Sequence, residues 1–149
     1  MSDVPQPPTD PAKTLGAVLG FETVESGPDR AVGRFEVQDR VRQPMGIVHG
    51  GVYAAMAEGL TSQATFEAVF PDGFIATGMS NQTNFLRPVS EGIVTAYARS
   101  IHRGRTTWVW EVEFKDDRDR LSAVCRMTIA IRRLPEVEGL KPEATRCSS

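Results

Sequence analysis

One segment can form a long helix, and it constrains the fold more than any other part of the chain. Residues 51–69 contain no proline and are rich in alanine, glutamate, methionine and leucine, with glycine only at positions 51 and 59. Pro71, Asp72 and Gly73 follow directly and predict its end. The apolar stripe of this helix comprises Tyr53, Ala57, Leu60, Ala64 and Ala68. The other strongly patterned segments predict β-strands, so the helix must bury this stripe against a sheet.

Six segments around the helix have the turn-bounded, alternating pattern of β-strands. The alternation is most regular in residues 105–115, where Trp108, Trp110, Val112 and Phe114 share one face. Two strands before the helix and four after it predict an α+β fold, in which an antiparallel sheet wraps around a long central helix. The predicted strands span residues 20–26, 30–38, 74–86, 91–101, 105–115 and 120–132.

The 149 residues predict one domain with polar ends. Residues 1–13 are rich in proline and predict a disordered segment, residues 14–133 the folded domain, and residues 134–149 a loose tail. No stretch approaches the ~20 apolar residues of a membrane span. The formal net charge of −2 gives no sign of a nucleic-acid surface. We therefore expect neither a membrane nor a nucleic acid as partner.

The composition gives little support to disulfide or metal chemistry. Cys125 lies in an apolar alternating run and predicts a core residue, whereas Cys147 lies in the polar tail. Because this is no disulfide framework, we expect a cytoplasmic protein. His49 and His102 are the only histidines, and no cysteine pair has ligand spacing. No metal or other cofactor is therefore expected.

A second stripe of the helix carries one carboxylate among small or polar residues. Gly51, Ala55, Glu58, Ser62 and Thr65 share this stripe. On periodicity alone, a lone glutamate on a helix points to solvent about as often as it has a chemical role. A solvent-facing stripe, however, usually carries long charged side chains. The small neighbours leave room for a crevice beside Glu58. Ser62, four residues on, lies within hydrogen-bond reach of the carboxylate or of a water molecule that it holds.

The start of the helix is a second candidate for chemistry. N–H groups in a first turn have no intrahelical partner and lie at the positive end of the helix dipole. Such an end can stabilise the negative charge that develops on a carbonyl oxygen. The adjacent Gly50 and Gly51 fit this role, although by themselves they fit a tight loop-to-helix junction better. Taken alone, His49 favours a structural histidine.

The spacing of these groups bears on assembly. Gly50 and Glu58 are eight residues apart, which is about 12 Å along a helix. A glutamate side chain cannot span that distance. If both groups act on one carbonyl, they must come from different subunits, which predicts a dimer with two shared sites.

The segment from Gln43 to Glu58, QPMGIVHGGVYAAMAE, resembles the PaaI-like hotdog thioesterases. It looks most like the 4-hydroxybenzoyl-CoA thioesterases that use a glutamate on the central helix. Residues 80–81, 85–89 and 106–110 agree with the same pattern. The resemblance implies a hotdog fold, hydrolysis of an aromatic acyl-CoA to the free acid and CoA, and a homotetramer built from dimers.

The same resemblance implies roles for five residues. Glu58 would be the nucleophile or the general base for water, and the Gly50 N–H of the partner subunit would polarise the thioester carbonyl. Gln43 and His49 would lie beside the thioester and orient groups there. Ser62 would position the water or the carboxylate.

The resemblance also implies a CoA-binding set. Arg87, Arg105, Thr106 and Thr107 would meet the nucleotide end of CoA, and Asn81 belongs to the same set. Arg105 departs from the small hydroxyl residue of the family pattern, but an arginine there can still pair with a phosphate.

Several acyl groups stay open, because Gly16 occupies the region where some relatives place an acid near a substrate phenol. They include 1,4-dihydroxy-2-naphthoyl, phenylacetyl and medium-chain acyl groups. A hotdog dehydratase is disfavoured, because such enzymes pair histidine and acid in another arrangement. A non-catalytic acyl-CoA-binding module is the alternative from a different functional class.

Overall fold

The computed structural model describes residues 8–134 and contains one long helix, one short helix and a six-stranded sheet. Short 3-10 helices cover Pro11–Lys13, Asp39–Val41 and Phe70–Asp72. The helices are α1 (Leu15–Val18) and α2 (Gly50–Val69), and the strands are β1 (Glu22–Glu25), β2 (Arg30–Glu36), β3 (Phe74–Phe85), β4 (Ile93–Arg103), β5 (Thr107–Lys115) and β6 (Leu121–Arg133). Of the predicted disordered segment 1–13 and tail 134–149, residues 1–7 and 135–149 lie outside the described residues.

All six strands join one antiparallel sheet in the order β1-β2-β4-β5-β6-β3. The chain passes through α2 before β3, which pairs with β6 on one side only and forms an edge of the sheet. The predicted helix and the α+β arrangement of a sheet around it are confirmed. In the part of the chain that is described, no helix is both long and apolar enough to cross a membrane.

The turn between β4 and β5 lies further along the chain than predicted. The pairing of the two strands shifts register between Ser100 and His102, and β4 then continues to Arg103. The turn therefore comprises residues 104–106 rather than 102–104. Arg105 and Thr106 lie in this turn and are exposed, whereas a strand was predicted to begin at residue 105.

The predicted apolar stripe of α2 does pack on the sheet. Tyr53, Ala57, Leu60 and Ala64 are buried, and Ala68 is partly buried against the same core. The predicted core role of Cys125 is also confirmed by its burial. The facing side chains come mainly from the helix-side positions of β4, β5 and β6: Val94, Ala96, Ala98, Trp108, Trp110, Val112, Phe114, Ala123, Met127, Ile129 and Ile131.

Thr65 differs from its predicted place on the open stripe of α2, because it is fully buried. Its hydroxyl donates to the Thr61 carbonyl at 2.7 Å and accepts the indole N–H of Trp110 at 2.9 Å. Trp110 is itself fully buried, and a buried indole N–H needs an acceptor. The hydrogen bond therefore explains why a polar residue lies at this core position.

Replacing Thr65 by valine tests this hydrogen bond. Thr65→Val keeps the shape of the side chain but leaves the Trp110 N–H without an acceptor, so we expect the free energy of unfolding to fall by about 1–3 kcal/mol. Urea denaturation measures the change. Thr128→Val, on the opposite face of β6, is the control and should stay within about 0.5 kcal/mol of the parent protein.

Candidate active site

The loop before α2 is folded tightly and delivers two of the predicted site residues to the helix start. The Gln43 N–H donates to the Ile47 carbonyl at 2.8 Å, and the His49 N–H donates to the Val41 carbonyl at 2.8 Å. The side-chain oxygen of Gln43 accepts the Met45 N–H. Within residues 8–134 the Gln43 amide nitrogen donates to no protein group, so this amide is available to a ligand.

His49 is the N-cap residue of α2. Its Nδ1 accepts the Gly51 N–H at 2.8 Å, which satisfies one of the orphan donors of the first turn. Because Nδ1 is the acceptor, the neutral imidazole carries its proton on Nε2. The exposed ring therefore accepts the capping hydrogen bond at Nδ1 and has, at Nε2, an N–H donor without a partner in the described residues.

Gly50 provides the first N–H of α2, and it bonds to no acceptor in the described part of the chain. A Cβ atom at this position would lie 2.8 Å from the ring of Phe85. Glycine thus lets the end of β3 pack directly on the helix start. The free N–H lies beside an aromatic ring at the positive end of a 20-residue helix.

Glu58 lies two turns further along α2 and is exposed. No hydrogen bond or ion pair holds its carboxylate among residues 8–134. The side chain lies against the backbone of β3, because Glu58 Oε1 is 3.0 Å from the position of a Cβ atom at Gly78. An unpaired carboxylate at such a place can act on water or on an electrophile.

Ser62 does not make the predicted hydrogen bond to Glu58. Its Oγ is buried, yet it has no hydrogen-bond partner in the described residues. A buried hydroxyl without a partner is uncommon and needs an explanation such as a bound water or ligand. Ser62 is thus one turn from the carboxylate with its hydrogen-bonding capacity unused.

Asn81 joins β3 to the helix turn that carries Glu58. Its Nδ2 donates to the Ala54 carbonyl at 2.9 Å, and its Oδ1 accepts the Thr83 hydroxyl at 2.7 Å and the Cys125 thiol at 3.4 Å. Burial raises the pKa of the Cys125 thiol, which keeps this thiol protonated and a poor nucleophile. The predicted contact of Asn81 with CoA stays a prediction beside this structural role.

The site residues therefore form two groups, one in and beside the first turn of α2 and one two turns further along this helix. We call Gln43, His49 and Gly50 the N-terminal cluster, and Glu58 with Ser62 the carboxylate cluster. Gly50 and Glu58 lie on one uninterrupted helix, so the clusters are about 12 Å apart along its axis. The structure brings residues together within each cluster but does not bring the two clusters together in one chain.

The predicted CoA-binding residues are also separated. Arg87 follows β3 and its N–H donates to the Ser122 carbonyl, whereas the Thr106 carbonyl accepts the Ile131 N–H. Ser122 and Ile131 are nine residues apart along β6, which corresponds to about 30 Å. Arg87 therefore cannot meet the same phosphate as Arg105, Thr106 or Thr107 within one chain.

A groove runs along α2 on the side that faces α1. It has a volume of about 290 Å³, and no charged side chain lines it. Gly59, next to Glu58, forms part of its wall, as does Gly16 of α1. Such a neutral groove suits an uncharged group. Its remaining lining residues are Pro11, Thr14, Ala17, Phe21, Thr23, Met56, Leu60 and Gln63.

Comparison with known proteins now decides the family. A profile of the thioesterase superfamily matches residues 45–123, which include α2, β3, β4 and β5. The chain belongs to the thioesterase superfamily. The predicted class of this thioesterase, a thioester hydrolase, is confirmed. A 1,4-dihydroxy-2-naphthoyl-CoA hydrolase of Listeria monocytogenes is 36% identical over 119 residues, which cover 80% of this chain and 96% of that protein.

Solved structures support the same family and its hotdog fold. A variant of a Pseudomonas aeruginosa thioesterase has a TM-score of 0.78 and 33% identity, with 82% of this chain and 88% of that chain covered. A Staphylococcus aureus protein was solved as a glutamate-to-alanine variant (TM-score 0.78, 32% identity, 81% and 100% covered). The same protein, described as a thioesterase enzyme, was solved as a glutamine-to-alanine variant, with a TM-score of 0.76, 31% identity, and 79% of this chain and 98% of that chain covered.

Two neighbours of the site in this thioesterase were not singled out by sequence reasoning. Gly78 supports the Glu58 side chain, and Phe85 packs on Gly50. A glycine inside a predicted strand is a known signal of a bulge or of a close approach, so Gly78 could have been found. Phe85 carries no such signal, because its partner lies 35 residues away in the sequence.

Two substitutions of His49 test its role as the N-cap of α2. His49→Ala removes the acceptor for the Gly51 N–H, and we expect it to lower the free energy of unfolding by about 0.5–2 kcal/mol. His49→Asn keeps a side-chain acceptor and should retain most of this stability. Urea denaturation compares the two variants, and equal stability of both with the parent would rule out a stabilising cap.

Proposed function

We propose that this thioesterase hydrolyses an aromatic, 4-hydroxybenzoyl-like acyl-CoA at sites shared between two subunits. The observation that carries the proposal is the pair of incomplete clusters on α2. Among residues 8–134, the N-terminal cluster offers donors without acceptors, and the carboxylate cluster offers a carboxylate and a buried hydroxyl without partners. A thioester carbonyl held between such groups would be polarised from one side and attacked from the other.

The dimer follows from the separation of the clusters. A two-fold axis exchanges the same surfaces of both subunits, so an N-terminal cluster can meet the carboxylate cluster of its partner. The stripe of α2 that carries Glu58 is suited to close packing, because its residues Gly51 and Ala55 are small. The free edge of β3 lies beside it. The same axis would also join Arg87 of one chain to the Arg105–Thr107 turn of the other.

Glu58 provides the reacting group in this proposal, either as general base or as nucleophile. As base, it takes a proton from water while the water oxygen bonds to the acyl carbon. The Gly50 N–H of the other subunit stabilises the resulting oxyanion. As nucleophile, it forms an acyl-enzyme anhydride that water then cleaves. In both routes the C–S bond breaks, CoA leaves as a thiolate that takes up a proton, and the free acid forms.

The spacing of two residues supports these assignments. The glutamate and glutamine replaced in the two Staphylococcus aureus variants lie 15 residues apart. Glu58 and Gln43 have the same separation in this chain. We therefore assign Gln43 to the thioester with the amide donors that its own loop leaves unused. His49 would help through Nε2–H, and Ser62 through a water molecule near Glu58.

The groove beside Gly59 is our candidate for the acyl group. Thr14, Thr23 and Gln63 can bond to a ring hydroxyl without placing a charge near it. The 1,4-dihydroxy-2-naphthoyl group is the second candidate, because the Listeria relative is named for it. Medium-chain acyl groups also suit a neutral wall. We propose a cytoplasmic protein in which dimers pair into a homotetramer.

Thiol release from an acyl-CoA panel tests the reaction. The panel contains 4-hydroxybenzoyl-, benzoyl-, phenylacetyl-, 1,4-dihydroxy-2-naphthoyl- and hexanoyl-CoA. We expect Glu58→Gln to lower kcat by about 100- to 10,000-fold, because it removes the base or nucleophile but keeps the shape. Glu113→Gln, on the outer face of β5, should change kcat little. CoA esters that bind without any release would favour the non-catalytic binding module.

Mixing two inactive variants tests the shared sites. Gln43→Ala and Glu58→Ala damage different clusters, so each homodimer has two defective sites. A mixed dimer would have one intact site and one doubly damaged site. After random exchange of subunits we expect about a quarter of the parent activity to return. No return of activity in a mixture shown to contain mixed dimers would contradict the two-subunit site.

A larger side chain at Gly59 tests the groove. A Cβ atom there would have no neighbour within 4 Å, so Gly59→Met can extend along the groove without a backbone clash. We expect hydrolysis of naphthoyl and benzoyl esters to fall at least about tenfold more than hydrolysis of acetyl-CoA. Gly59→Ala is the matched control. An equal loss for every substrate, or loss of the dimer, would count against the groove as acyl site.

A further inference from the structure

Strand β3 contains a β-bulge next to the carboxylate cluster. Gly78 pairs with Ile129 and Ser80 pairs with Thr128, so Met79 has no counterpart on β6. Met79 is 61% exposed and does not enter the core. An extra residue of this kind shifts the alternation of the strand by one position, and bulges are frequent beside active sites.

The bulge turns two particular residues of β3 toward α2. Gly78 faces the helix before the bulge, where it meets Glu58, and Asn81 faces it after the bulge, where it bonds to Ala54. In a regular strand these two positions, three residues apart, would lie on opposite faces. Gly78, which has no side chain, thus contacts the helix at one point, and the side-chain amide of Asn81 contacts it at the next.

Gly78 leaves room for the Glu58 side chain. A Cβ atom at Gly78 would lie 3.0 Å from Oε1, 3.3 Å from Cδ and 3.3 Å from Cγ of Glu58. These distances are shorter than ordinary van der Waals contact, and Cγ is close to the helix backbone. A methyl group would therefore press on the carboxylate and on the methylene group beside it, and the carboxyl end of the side chain would have to give by a few tenths of an ångström.

β3 has little freedom to move away and restore the space. The Asn81 amide bonds to the Ala54 carbonyl, which also accepts the Glu58 N–H in a regular α-helix. The anchor therefore acts on the helical turn that carries Glu58. No other described side chain forms a hydrogen bond or ion pair with the carboxylate, so its close approach to β3 is the contact that can position it.

We propose that Gly78 is a positioning residue for Glu58, an inference that rests on the catalytic role proposed above for Glu58. The bulge and the Asn81 anchor hold the bare backbone of Gly78 against the side chain and direct the carboxylate toward the reacting carbonyl. A displacement of a reacting group by as little as 1 Å can reduce a rate about 100-fold. Gly78 would thus control kcat without touching the substrate.

A double-mutant cycle tests this role. Gly78→Ala should lower kcat by about 10- to 100-fold with KM nearly unchanged, because binding does not depend on the exact place of the carboxylate. Glu58→Asp should lower kcat in the parent protein, since the shorter side chain withdraws the carboxylate. In the Gly78→Ala background the same change should cost at least about fivefold less, because the shorter side chain avoids the added methyl group.

The cycle separates this inference from the proposed function. Full activity of Glu58→Ala would remove the catalytic role of Glu58 itself. Loss of activity in Glu58→Ala, together with purely multiplicative effects in the cycle, would overturn only the positioning role. Gly27→Ala, in the turn between β1 and β2, makes the same chemical change with just one ordinary contact and is the control.

A second variant adds no atom beside Glu58 and so covers the case in which Gly78→Ala fails to fold. Asn81→Ala removes the anchor between β3 and the Ala54 carbonyl. We expect kcat to fall about tenfold with KM nearly unchanged. A raised KM with unchanged kcat would instead assign Asn81 to CoA binding and would contradict the positioning device.

Discussion

The packing of one stripe of α2 on the sheet is the interaction on which the rest of this protein depends. It buries Tyr53, Ala57, Leu60 and Ala64, and within residues 8–134 it is the large apolar contact of this helix. Two polar contacts fix the helix within this packing. Trp110 bonds to Thr65 near one end, and Asn81 bonds to the Ala54 carbonyl near the other. Sliding or rotating α2 would break both.

A helix held in this way can display reactive groups on its free side at fixed intervals. The groups proposed for chemistry share one property, which is hydrogen-bonding capacity that the chain itself does not use. The Gly50 N–H, the Gln43 amide, the Glu58 carboxylate and the Ser62 hydroxyl all have it in the described residues. Other charged groups are paired, as in the contacts of Glu111 with Arg99 and Arg126, whereas the core hydroxyl of Tyr53 also has no partner among the described residues. The unused capacity marks the surface that a substrate and a second subunit would satisfy.

Much of this architecture follows from local sequence patterns. The helix was predicted to within one residue of its start, and all six strands were found, because periodicity and turn residues are local signals. The burial of Thr65 was not predicted, since it depends on an indole from a strand 45 residues later. The extension of β4 depends on a register shift, which is a property of the pair of strands and not of either one.

The residues proposed for the site follow from local sequence patterns, but the geometry of the site follows from them only in part. Spacing along α2 correctly separated Gly50 from Glu58, because helix rise is a constant of the backbone. Grouping Arg87 with Arg105 failed within one chain, because their separation is set by the length of β6. The rise is not the only constraint that α2 imposes. One residue inserted between Gly50 and Glu58 would lengthen the interval by only ~1.5 Å but would turn the carboxylate by about 100° around the helix. The eight-residue interval is therefore defined by angular phase as much as by length, and it would tolerate substitution far better than insertion or deletion.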